Sequence, residues 1–150
     1  ALCQLGQALG LRSIASESAQ AAICGADLII STVTFSTQLV PFLDARWLKP
    51  GAFATVTDLA APWVKQSFSE LDCIVIDDRQ QEAMMETPLV NPHWITGDLT
   101  ELVCRVIEGR STDEQKTAFI FRGLALGDLA LAALAYQTAQ LRQTGFQIKR

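Results

Sequence analysis

The sequence predicts an α/β fold: a doubly wound parallel sheet with helices between its strands. Three observations carry this reading. Short apolar runs alternate with helical patterns along the chain, and two of them, residues 27–33 (DLIISTV) and 52–57 (AFATVT), end in small and hydroxyl-bearing residues. Between these runs, Lys49-Pro50-Gly51 cannot continue a helix and so turns the chain into the second strand. In a strand–helix–strand unit the strands are parallel, the crossover is right-handed, and ligands sit beyond the strands' carboxyl ends. That places Ser31, Thr32, Val33 and Thr34 after the first strand, and Thr57 and Asp58 after the second, as functional candidates.

The other elements follow in order. Residues 1–10 (ALCQLGQALG) carry Leu2, Leu5, Ala8 and Leu9 at helical spacing and end in Gly10, the pattern of a short helix with a glycine stop. Residues 11–15 are a strand candidate, and Ser16 caps a helix over 17–24 that Gly25 ends. A helical stretch around 42–48 lies between the two central strands. Beyond Pro62-Trp63 a polar helical segment runs to Leu71, and 73–77 (CIVID) is a third strand. Asp78 with Gln81 resembles a capping box and opens a helix through about residue 86; Asp77 is a turn residue or a functional acid. His93, the only histidine, lies in a loop over 88–96 without an evident partner and reads as a packing residue. Asp98 with Glu101 starts a helix over 99–108 that Gly109 stops, and Ser111 with Glu114 opens a helical segment including 116–121. The last element, 124–141, is apolar around most of its first half, interrupted by Asp128, and therefore needs a surface to pack on.

At 150 residues the chain is long enough for one domain with a core. Its net charge of −4 and lack of clustered Lys and Arg argue against nucleic acid as the main partner. No apolar run approaches the roughly 18 residues of a membrane span. Cys3, Cys24, Cys73 and Cys104 form no CxxC pair, which suits buried free thiols in a reducing cytoplasm and no metal site. The chain starts at Ala1 directly in a helical pattern and contains no GxGxxG. The expectation is a piece of a longer protein whose glycine-rich, phosphate-binding half lies upstream.

Several stretches resemble the ornithine cyclodeaminase/mu-crystallin family: 25–35 (GADLIISTVTF), 47–53 (WLKPGAF), 73–81 (CIVIDDRQQ) and 95–136, which holds Gly109-Arg110, STDE at 111–114, Phe119, Gly123, Ala125 and Asp128. The resemblance implies an NAD(P)-dependent homodimeric enzyme. Residues 1–110 would be the second part of a Rossmann-like domain, and 111–150 a C-terminal helical segment packed on the sheet or on a substrate and dimerisation domain. It further implies an amino-acid or cyclic imino-acid substrate, turned over by cyclodeamination, imine reduction or dehydrogenation. Asp58 would be the catalytic acid or base. Thr32, Val33, Thr34 and Thr57 would contact the NAD or NADP, and Arg122 would bind a substrate carboxylate or face solvent.

The segment VTDLAAPW departs from the family pattern, in which the catalytic aspartate stands two positions before a proline; that position here is Ala60. Either Asp58 takes the role, or the acid is absent and the protein is a non-catalytic NADP(H)- or small-ligand-binding relative of mu-crystallin. A different Rossmann enzyme, such as a hydroxy-acid dehydrogenase, is a third reading. Phe121-Arg122 is a second departure, since family members often carry a small polar residue there.

Overall fold

In the computed structural model, which describes residues 1–146 and 148, the apolar runs form one parallel five-stranded sheet of order β1-β2-β5-β3-β4. The strands are β1 (Leu28–Ser31), β2 (Phe53–Val56), β3 (Cys73–Ile76), β4 (Gly97–Asp98) and β5 (Thr117–Ile120). Every pairing is parallel, so all five carboxyl ends share one rim. The expected α/β sheet is therefore present.

Side chains alternate across a strand, and this decides where the core lies. Ile29, Ala54, Val56, Ala118, Ile120, Ile74 and Ile76 are buried against Leu43, Leu48, Trp63, Phe68, Leu89 and Val90. Trp63 and Phe68 meet as tilted rings with centroids 5.7 Å apart. The opposite face stays open over β1, where Leu28 and Ile30 are exposed. β3, flanked by β5 and β4, is buried at every position, as expected of an interior parallel strand.

The helices are α1 (Leu2–Ala8), α2 (Ala19–Ile23), α3 (Arg79–Ala83), α4 (Leu99–Val103) and α5 (Ala125–Arg142). Several expectations are corrected. Residues 11–15 pair with no described strand. The cap of α2 is Ser18, which accepts from the Ala21 amide, rather than Ser16. The helical stretches expected around 42–48 and up to 71 are single 3-10 segments, Ala45–Trp47 and Lys65–Glu70. The helix after Asp98 keeps its capping box but stops at Val103, and Arg105 turns left-handed at φ 57°.

The largest correction is β5. The helix expected over 116–121 is a strand, inserted between β2 and β3. Thr117, Phe119, Ile120 and Phe121 are β-branched or aromatic and prefer a pleated, half-buried surface, which outweighs the capping signal at Ser111. The Ser111 amide instead donates to the Gln115 side-chain oxygen in a turn. The sheet consequently continues past residue 110.

Among the cysteines only Cys73 is buried; Cys24 and Cys104 are exposed, and all four are free. No helix among the described residues is long and apolar enough to cross a membrane. Among them too, no group of three or more His, Cys, Asp or Glu is placed to hold a metal. α5 buries none of its residues, and Leu126, Leu129, Leu131 and Leu134 are exposed.

Candidate active site

Because the strands are parallel, β1 and β2 deliver their following residues side by side. Asp58 lies two residues beyond β2 and is only 6% exposed. Its Oδ2 accepts the hydroxyl of Ser31, the last residue of β1, and the backbone N–H of Val33 at 3.1 Å. Ser31 Oγ in turn accepts the indole N–H of Trp63 at 3.0 Å. Oδ1 of Asp58 is buried with no hydrogen-bond partner among the described residues. A buried carboxylate normally finds donors for both oxygens, so this atom calls for an explanation.

The turn after Asp58 is strained. Leu59 and Ala60 both adopt left-handed backbone, φ 57° and 53°, though neither is glycine. The Ala61 amide closes back on the Asp58 carbonyl at 3.1 Å, and the Trp63 amide on Ala60 at 3.2 Å. Such outliers persist where the surroundings over-determine them, and they concentrate at functional sites.

Thr57 faces the same rim and is exposed, but its hydroxyl donates to the Ser31 carbonyl at 3.0 Å, where its amide also bonds. It thus straps the end of β2 to β1. Thr32 and Thr34 are exposed and Val33 is half-buried. The structure therefore brings Asp58, Thr57, Ser31 and Val33 into one network, with Thr32 and Thr34 on its solvent side.

The carboxyl ends of β3 and β5 form a second cluster. Asp77, buried, accepts the amides of Arg122 at 3.1 Å and Gly123 at 2.7 Å. Gln81 donates to the Gly123 carbonyl at 3.2 Å, and its own side-chain oxygen is buried without a partner among the described residues. The Arg122 guanidinium, expected to grip a substrate carboxylate, is instead committed inside the protein. Its Nε pairs with buried Glu82 at 2.7 Å and an Nη donates to the Thr87 carbonyl at 3.2 Å. Glu82 also accepts the Leu89 amide. The cluster clamps the turn that leads from β5 into α5.

Sequence reasoning missed Trp63 and Glu82. Their partners lie 32 and 40 residues away, and no local spacing signals them. A cavity of about 610 Å³ lies elsewhere, over the open sheet face, lined by Leu28, Phe53, Val75, Leu102, Arg110 and Phe119 among others. It includes none of the rim residues above.

Comparison with known proteins agrees with this architecture. The chain is 30% identical over 142 residues to N-((2S)-2-amino-2-carboxyethyl)-L-glutamate dehydrogenase of Staphylococcus aureus, covering 88% of this chain and 40% of that protein. The structure of Thermococcus litoralis Δ1-pyrroline-2-carboxylate reductase, in complex with NADH and L-proline, superposes with a TM-score of 0.77 at 22% identity, over 97% of this chain and 47% of that one. An archaeal alanine dehydrogenase dimer with bound NAD gives 0.76 at 20% identity, with the same coverage of 97% and 47%. These structural likenesses show the fold, and the chain spans less than half the length of each. The model of one family matches residues 3–143, nearly the whole chain, and with the parallel sheet and its rim in the expected places the chain belongs to the ornithine cyclodeaminase/mu-crystallin family.

Proposed function

We propose that this chain is part of an NAD(P)-dependent oxidoreductase that moves a hydride between a nicotinamide and a nitrogen-bearing carbon of an amino acid or cyclic imino acid. The observation that carries this reading is Asp58, buried at the carboxyl rim of a parallel sheet with one carboxylate oxygen bonded and the other without a partner among the described residues. Family membership and the dehydrogenase and reductase names of the relatives support it.

The rim suits a dinucleotide. Exposed hydroxyls at Thr32 and Thr34 and the backbone around Val33 would hold the ribose and nicotinamide, with Thr57 fixing the two strand ends beneath them. A nicotinamide bound there would supply or receive the hydride. Asp58 moves the accompanying proton on the substrate nitrogen or on an attacking water. Arg122 serves through its pair with Glu82, which holds the β5 turn, rather than by gripping the substrate. The sheet through Ile120 forms the dinucleotide-binding part. α5, with its uncovered leucines, belongs to a substrate and dimerisation domain, as the dimer named for the archaeal alanine dehydrogenase suggests.

Fluorescence titration of the full-length protein with NADH and NADPH tests this. It is followed by NADH oxidation with Δ1-pyrroline-2-carboxylate or with pyruvate and ammonia, and by release of ammonia from L-ornithine. Saturable binding of one nucleotide and turnover of one of these substrates is the expected result. Binding of neither nucleotide would overturn the proposal, and binding without turnover would favour the non-catalytic alternative.

A further inference from the structure

Resting on the reading of Asp58 above, we propose that Ser31 and Trp63 are positioning residues that fix the orientation of the Asp58 carboxylate for the proton transfer of the reaction. The direction of the hydrogen bonds decides this. An indole N–H can only donate, so the 3.0 Å contact makes Ser31 Oγ an acceptor from Trp63. The hydroxyl's own hydrogen is then directed to its other neighbour, Asp58 Oδ2. The Val33 amide brings a second donor to the same oxygen at 3.1 Å. Oδ2 is saturated, and Oδ1 has no protein donor among the described residues.

The chain is protected from water. Trp63, Ser31 and Asp58 are 1, 4 and 6% exposed, so solvent does not compete for its links, and a buried chain of this kind polarises along its length. Its far end is anchored. The Trp63 ring packs on Phe68, and its amide bonds Ala60 in the strained turn, which leads directly from Asp58. The charged groups at the same rim are engaged elsewhere: Arg122 with Glu82, and Asp77 with the Arg122 and Gly123 amides; none bonds to Asp58. A proton leaving the substrate nitrogen or attacking water, its bonding pair remaining on that atom, is received by the Asp58 carboxylate that this chain holds in place. The reverse step returns it from there.

The test compares Ser31→Ala, Ser31→Thr, Trp63→Phe and Asp58→Asn in the full-length protein. It uses whichever substrate named above is turned over, with NADH affinity measured separately. The indole N–H resonance of Trp63 is recorded by NMR without cofactor and assigned by its loss in Trp63→Phe. Ser31→Ala is expected to lower kcat by roughly tenfold, the size of a lost hydrogen bond to a charged group. KM and NADH affinity should stay within about twofold of wild type. Ser31→Thr should restore most of the rate, and Trp63→Phe should fall between. The indole resonance should move in Asp58→Asn, although Trp63 and Asp58 share no hydrogen bond. Wild-type kcat in Ser31→Ala and Trp63→Phe alongside a collapsed Asp58→Asn would overturn the positioning roles and leave the Asp58 reading intact. Full turnover in Asp58→Asn would sink both. A loss confined to KM or NADH affinity, or an indole resonance unmoved in Asp58→Asn and Ser31→Ala, would also overturn the positioning roles.

Discussion

Asp44 shows how the chain tolerates an acid in its interior. Only 4% exposed, it caps the first 3-10 turn by accepting the Arg46 amide at 2.9 Å, and it pairs with the Arg46 guanidinium. The hydrogen bond from that guanidinium holds the Asp44 carboxyl below its usual range against the opposing effect of burial. A depressed folded-state pKa contributes stability above the unfolded value of about 3.9, and that contribution is lost as pH falls through the folded value. Asp44→Ala should cost about 1 kcal/mol near neutrality, the size of a lost cap, and should flatten the decline in stability below about pH 4, measured by urea unfolding. Gly51 is a second single-residue test. Its φ is +79°, and a Cβ there would sit 2.5 Å from the Asp113 carbonyl oxygen, so Gly51→Ala should lose about 1–3 kcal/mol by the same measurement. Gly51 was legible in the sequence, because Lys-Pro-Gly names its own turn. Asp58 was legible by position alone. Its partner Ser31 lies 27 residues away, a pairing that only the parallel register of β1 and β2 creates.

Among the elements, the strands were easier to read than the helices. DLIISTV, AFATVT and CIVID each hold a strand within a residue or two of the expected bounds, because buried parallel strands are continuous apolar runs. The helices expected there shrank to one 3-10 turn at 45–47 and two at 65–70, where burial is shared with loops and no long amphipathic face is needed. β5 was misread because its neighbours β2 and β3 are distant in sequence, while the capping signal at Ser111 and Glu114 is local. Its interior position has a measurable consequence. Backbone amides of Thr117–Ile120, which bond into strands on both sides, should be among the slowest to exchange with solvent, whereas those of α1, with no buried residue, should exchange fast. Fast exchange throughout β5 would contradict the observed sheet order.

At the scale of the whole molecule, the apolar surfaces left uncovered among the described residues include the sheet face bearing Leu28 and Ile30 and the leucine-rich length of α5. The sequence of α5 itself calls for a partner, since a helix apolar around most of its first half is unstable in water alone. If α5 mediates assembly, Leu129→Lys with Leu134→Lys should shift the full-length protein towards monomer in sedimentation while leaving its far-UV spectrum unchanged. On the proposed reading the chemistry lies at the sheet's carboxyl rim, upstream of α5, and assembly through α5 would be separable from it along the chain. The most direct measurement of the central claim is Asp58→Asn in the full-length protein, with NADH binding and steady-state turnover read on the same preparation. The account predicts NADH affinity within about twofold of wild type and turnover lower by roughly a hundredfold or more, the scale of a lost general acid or base. Turnover at the wild-type level would contradict it.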